Sequence, residues 1–78
     1  MDDEAGIIGV VAETVRRARK SAGWSQEDLA LEAGVDRTYI SQVERGKRNV
    51  TIVVLAKIAR ALKTTPDRLL IPSRKSKG

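Results

Sequence analysis

With 78 residues, 41% of them hydrophobic, the chain has room for one small domain, whose core alone leaves it marginally stable unless a partner subunit completes it. It contains neither cysteine nor histidine, which excludes disulfides and removes the usual ligands of zinc, copper and haem, so no metal or other cofactor is expected. The net charge is +5, and four of the ten acidic residues (Asp2, Asp3, Glu4, Glu13) lie in the first thirteen positions, so the remainder sets 15 basic residues against six acidic ones, a balance suited to a polyanion, nucleic acid before an anionic membrane surface.

The first element in chain order is a helix expected over 7–21. Its apolar start, GIIGVVA, and the later run VTIVVLA are both much shorter than the roughly 20 residues of a membrane span. The acidic opening MDDEAG is unlike a secretory signal, so a soluble, cytoplasmic protein with no membrane association is expected. Gly23 supplies a left-handed stop. A second helix follows over 25–33, with Ser25 as its cap, Trp24 and Leu29 clamping the entry, and Asp28 in the third helical position as a variant of the capping box. It stops at Gly34. Asp36, flanked by Val35 and Ile40, starts a third helix over 36–45, and Gly46 ends it. Thr51, between Val50 and Leu55, starts a fourth over 51–62. Its first four residues, Thr51, Ile52, Val53 and Val54, are β-branched and suit a strand. Apolar residues at 52, 55, 58, 59 and 62 nevertheless keep helical spacing, and Ala56, Lys57, Arg60 and Ala61 favour helix. A fifth helix over 65–71 opens on Thr65, Pro66 and Asp67. The domain is expected to occupy 1–71, followed by a basic flexible tail, PSRKSKG, over 72–78.

The third helix carries the chemistry. At about 100° per residue, Arg37, Thr38, Ser41, Gln42 and Arg45 share an arc of roughly 140°, with Ile40 and Val43 opposite and Tyr39 at the border. The polar arc holds no carboxylate. It combines a long cation, hydroxyls and an amide, the groups that match base edges in a DNA major groove. Arg37 has the fork for guanine O6 and N7, and Gln42 is the type of residue that pairs with adenine. The free amides at the start of the second helix attract a phosphate, with the Gln26 side chain adding to the contact. Lys47, Arg48 and Asn49, in the loop after the third helix, suit backbone clamping, and the Tyr39 hydroxyl suits a phosphate. No catalytic constellation can be assembled: a nucleophile would need a partner that this sequence lacks, and neither GIIG nor RGK has the rest of a phosphate-binding loop, so an enzyme is not expected.

The arc sits in a longer pattern, Gln26, Leu29, Ala30, Gly34, Val35, Ile40, Glu44 and Gly46 within SQEDLALEAGVDRTYISQVERG. This resembles the helix-turn-helix of the Cro and phage-repressor family, and the resemblance runs over residues 8 to 70 or so. It implies an all-α, five-helix bundle that binds double-stranded DNA. The segments DRTYIS, ERG and RN are similar to those of the small controller proteins of restriction-modification systems, though Val50 stands where a proline often follows the asparagine. That likeness implies base or phosphate contacts by Thr38 and Ser41. The family resemblance further implies a partly buried structural ion pair between Arg19 and Glu44. A transcriptional regulator acting at a promoter, by blocking or recruiting RNA polymerase, is the expectation. An antitoxin-type module whose DNA contact serves autoregulation, or a helical adaptor meeting acidic partners without sequence preference, are the alternatives. A two-fold dimer on a palindromic operator is expected, its interface formed by Val54, Ala61, Leu69, Leu70 and Ile71, apolar residues beyond those needed to dock the fourth helix.

Overall fold

Helix start signals spaced through the sequence become five helices in the computed structural model, which describes residues 3–72, with side chains from Gly6 onward. They are α1 (Asp3–Ser21), α2 (Gln26–Ala33), α3 (Arg37–Glu44), α4 (Ile52–Ala61) and α5 (Pro66–Leu69). The architecture is all-α, as expected, with no strand among the described residues. The expected tail lies, after Pro72, outside them.

Three of the caps act through their side chains. Ser25 Oγ accepts the Asp28 N–H at 3.0 Å while Asp28 accepts the Ser25 N–H at 2.9 Å, a complete capping box. Asp36 accepts from the Thr38 N–H at 3.1 Å, and Thr51 Oγ1 from the Val54 N–H at 3.1 Å. The Thr51 cap lets the β-branched start of α4 wind as helix, and Leu55, Ile58 and Ala59 then bury one face. Thr65 departs from expectation and caps nothing with its side chain. The Asp67 carboxyl is held below the usual carboxylate range, the neighbouring Thr65 hydroxyl being the first cause, and α5 is a single turn rather than the expected 65–71. At the other end of the chain, α1 starts at Asp3, not at residue 7.

The four longer helices close in the same way. The residue after a left-handed position donates its N–H to a carbonyl five residues back: Trp24 to Arg19 at 3.1 Å, Val35 to Ala30 at 3.0 Å, Lys47 to Gln42 at 2.9 Å and Thr64 to Ala59 at 2.9 Å. Glycine takes the left-handed position three times, as at Gly34 with φ 74°, where an L side chain would be strained. The fourth time it is Lys63, at φ 60°. No glycine marks this stop in the sequence.

The core draws on every helix: Val11 and Val15 from α1, Leu29 and Ala33 from α2, Ile40 and Val43 from α3, Leu55, Ile58 and Ala59 from α4, and Leu69 from α5. Each large side chain so buried contributes about 1.5–3 kcal/mol. Trp24 packs against this cluster as the expected staple. α3 lies against both α1 and α2, and α5 bridges α4 to α1. One buried polar contact reinforces that bridge: the Thr14 hydroxyl donates to the Leu69 carbonyl at 2.6 Å, satisfying one of the carbonyls that a helix end leaves open.

This packing corrects part of the expected dimer interface. Leu69 and Ala61 are only 3% and 7% exposed and belong to the core of the single chain, because α5 folds back on α1 and α4 and covers them. Leu70 and Ile71 remain exposed and Val54 half-buried, and the apolar surface left over lies elsewhere, with Ile52 at 82% exposure, Val53 at 65% and Ile7 beside Leu70. Ile7, Ile8, Val50, Ile52, Leu55 and Leu70 line a shallow apolar cavity at this surface, with Arg48 and Asn49 on its rim.

Candidate nucleic-acid interface

α2 and α3 are joined by the three residues Gly34 to Asp36, and the left-handed glycine turns the chain tightly enough for α3 to cross α2. Of the amides at the start of α2, Asp28 and Leu29 are bonded to Ser25, leaving those of Gln26 and Glu27 without a partner in the helix. An anion placed there meets two N–H groups and the positive end of the dipole.

On α3, burial follows the arc drawn from the sequence. Ile40, Val43 and Glu44 are buried; Arg37, Thr38 and Arg45 are exposed; Ser41, Gln42 and Tyr39 are half-buried at the margins. The exposed side therefore offers donors and hydroxyls and no carboxylate. Lys47, Arg48 and Asn49 follow, all exposed, on the loop toward α4.

Arg48 is engaged within the chain. Its guanidinium lies over the Tyr39 ring, 4.5 Å from the centroid, and its Nε donates to Gln42 Oε1 at 2.8 Å. The Tyr39 hydroxyl accepts the Thr51 N–H at 3.4 Å, and the ring packs against the core. The loop is thus fastened to α3 on one side and α4 on the other. For Gln42 the consequence is chemical: a two-pronged pairing with adenine uses both ends of the amide, and here one lone pair of the oxygen already serves Arg48 while the NH2 group has no partner among the described residues. The tyrosine hydroxyl keeps its own proton to donate.

Beneath the surface, Arg19 and Glu44 form a two-pronged ion pair. Arg19 Nε donates to Glu44 Oε2 at 2.6 Å and Nη2 to Oε1 at 3.0 Å, with the Glu44 side chain only 2% exposed. The carboxylate raises the guanidinium's pKa further above its ordinary value, chiefly through these hydrogen bonds. Arg19 Nη1 also donates to the Trp24 carbonyl at 2.8 Å, tying α1 to the turn before α2. Gln26 joins the pair, its Nε2 donating to Glu44 Oε1 at 3.1 Å. The sequence gives no sign of that bond, which links residues 18 apart whose side chains meet only once α2 and α3 have crossed. Equally hidden were Thr14, an ordinary mid-helix threonine by pattern, and the fastening of Arg48. No cluster of carboxylates able to hold a metal occurs among the described residues, and no described helix is long and apolar enough to cross a membrane.

Residues 15–69 match the helix-turn-helix family. Over 64 residues, 82% of this chain and 76% of the relative, the sequence is 48% identical to control protein C.SmaI of Serratia marcescens. The crystal structure of a hypothetical transcription factor from Neisseria superposes with a TM-score of 0.85 at 41% identity, covering 94% of this chain and 84% of that one. The restriction-modification controller protein C.Esp1396I, solved as a tetramer in complex with its natural 35 base-pair operator, superposes with a TM-score of 0.75 at 36% identity, covering 81% of this chain and 83% of that one.

Proposed function

Because the chain belongs to the helix-turn-helix family, whose members include restriction-modification controllers, we propose that it is a sequence-specific DNA-binding transcriptional regulator acting as a dimer on a palindromic operator, in the manner of such a controller. The observation that carries this reading is the exposed face of α3: Arg37 and Thr38 stand out from a surface free of carboxylates, and the basic loop 47–49 lies next to it. With α3 in the major groove, Arg37 reads guanine, and Thr38, Ser41 and the free NH2 of Gln42 meet neighbouring base edges. Gln26 at the start of α2, Tyr39, Lys47, Arg48 and Asn49 contact phosphates on either side and set the register.

One recognition helix reads too few base pairs to find a site in a genome, and a two-fold pair set about 34 Å apart reads two half-sites one helical turn apart. The apolar surface formed by Ile7, Ile52, Val53, Val54, Leu70 and Ile71 supports such a homodimer. Bound at a promoter in the cytoplasm, the dimer would exclude RNA polymerase or recruit it according to where the operator lies, and its occupancy would rise steeply with protein concentration.

Selection of binding sites from random duplex DNA tests the reading. The expected result is an enriched sequence with two-fold symmetry, its half-sites one helical turn apart. A pool that binds but enriches no sequence would mean that the basic face meets polyanions without reading them, as an adaptor would.

A further inference from the structure

Glu44 is the one carboxylate buried in the core among the described side chains. Its two oxygens receive three donors: Arg19 Nε on Oε2, and both Arg19 Nη2 and Gln26 Nε2 on Oε1. Ionised beside a guanidinium, a carboxylate only accepts. It therefore decides which end of the Gln26 amide turns inward: the nitrogen is drawn to Glu44 and the oxygen is repelled.

We propose that Glu44 is a positioning residue for DNA binding, acting through Gln26. The inference rests on the function proposed above, in which Gln26 meets a phosphate. A phosphate also only accepts, so an amide free to turn over presents its oxygen to the phosphate in part of its population and loses the contact there. Holding one N–H of Gln26 on Glu44 fixes the side chain before DNA arrives and leaves the second N–H to donate outward, beside the unpartnered backbone amides of Gln26 and Glu27. Arg19 completes the line by holding Glu44 from the α1 side. A buried ion pair on one side of the motif thus reaches the DNA backbone on the other, through three helices and a single carboxylate.

A double-mutant cycle separates this role from support of the fold. Gln26→Met, Glu44→Gln and the double variant are titrated with the selected operator and with an unrelated duplex, at a temperature where circular dichroism shows each fully folded. Gln26→Met should weaken both duplexes by a common factor of about three to ten, the worth of one hydrogen bond. Glu44→Gln should produce a similar loss in the wild-type background and none in the Gln26→Met background. The same loss from Glu44→Gln in both backgrounds would overturn the inference, because the carboxylate would then act through the fold alone. If Glu44→Gln does not fold, the side-chain amide of Gln26 in the free wild-type protein decides by NMR. One proton protected from exchange and the other open is the expected signature, and an unprotected, averaged pair overturns the proposal. Wild-type protein that binds no duplex would overturn the proposed function and this inference together, whereas binding with an unprotected Gln26 amide would overturn the inference only.

Discussion

Arg19→Met is the perturbation that most directly probes how the two helices of the motif are held. The substitution keeps the length of an apolar stem and removes every donor. Glu44 then loses the contacts at 2.6 and 3.0 Å and keeps only the Gln26 amide at 3.1 Å, while the Trp24 carbonyl loses its 2.8 Å donor. With the Glu44 side chain 2% exposed, water cannot replace them. Breaking a buried pair by removing one partner costs about 3–5 kcal/mol, against about 5–15 kcal/mol for the whole stability of a domain. At about 4–8 °C per kcal/mol for a chain of this size, the melting temperature should fall by at least about 12 °C. A thermal scan by circular dichroism measures it. Arg19→Met combined with Glu44→Leu should recover much of the loss, since an apolar pair of similar volume removes the stranded charge. A single variant melting within about 4 °C of wild type, or a double variant no better than the single, would refute the argument that an uncompensated carboxylate is the cause.

Arg37→Ala should weaken operator binding by about 1–3 kcal/mol and relax the preference at one base pair, read by repeating the site selection with the variant. Lys47→Ala should weaken operator and unrelated duplex alike and make the salt dependence shallower by about one unit in a log–log titration. Lys63→Gly, at φ 60°, should raise the melting temperature by a few degrees, because relief of left-handed strain, about 1–2 kcal/mol, exceeds the added freedom of the unfolded chain, about 0.5–1 kcal/mol. Ile52→Asp and Ile71→Asp, both at exposed positions, should leave the fold intact and shift sedimentation from dimer to monomer across a concentration series.

The fold was legible because its signals are local. Ser25, Asp36 and Thr51 each announce a helix start through one side chain and one backbone amide, and Gly23, Gly34 and Gly46 mark stops by a conformation that favours glycine. Where the local signal is absent or makes no cap, legibility ends: Lys63 closes α4 without glycine, and Thr65 precedes α5 without capping it through its side chain. The division of α3 into a buried and an exposed face also follows from periodicity alone. Periodicity does not say which apolar residues are surplus. Leu69 looks spare in the sequence and is core in the structure, since only the return of α5 onto α1 decides it. The Arg19–Glu44 contact came from the family likeness, whereas Gln26 on Glu44 and Arg48 on Gln42 are products of the tertiary crossing, which no one-dimensional spacing encodes.

The short bond from Thr14 to the Leu69 carbonyl bears on how α5 moves. A four-residue helix would ordinarily fray, exchanging its amide protons with solvent many times for each opening of the domain. Anchored through a buried hydroxyl in the middle of α1, α5 cannot lift away without exposing Leu69 and giving up the shorter of that hydroxyl's two bonds, which leaves Thr14 only the Val11 carbonyl at 3.3 Å. Its openings are thereby merged with those of α1, and the ridge of Leu70 and Ile71 beyond it is kept in a fixed place for as long as the first helix remains docked.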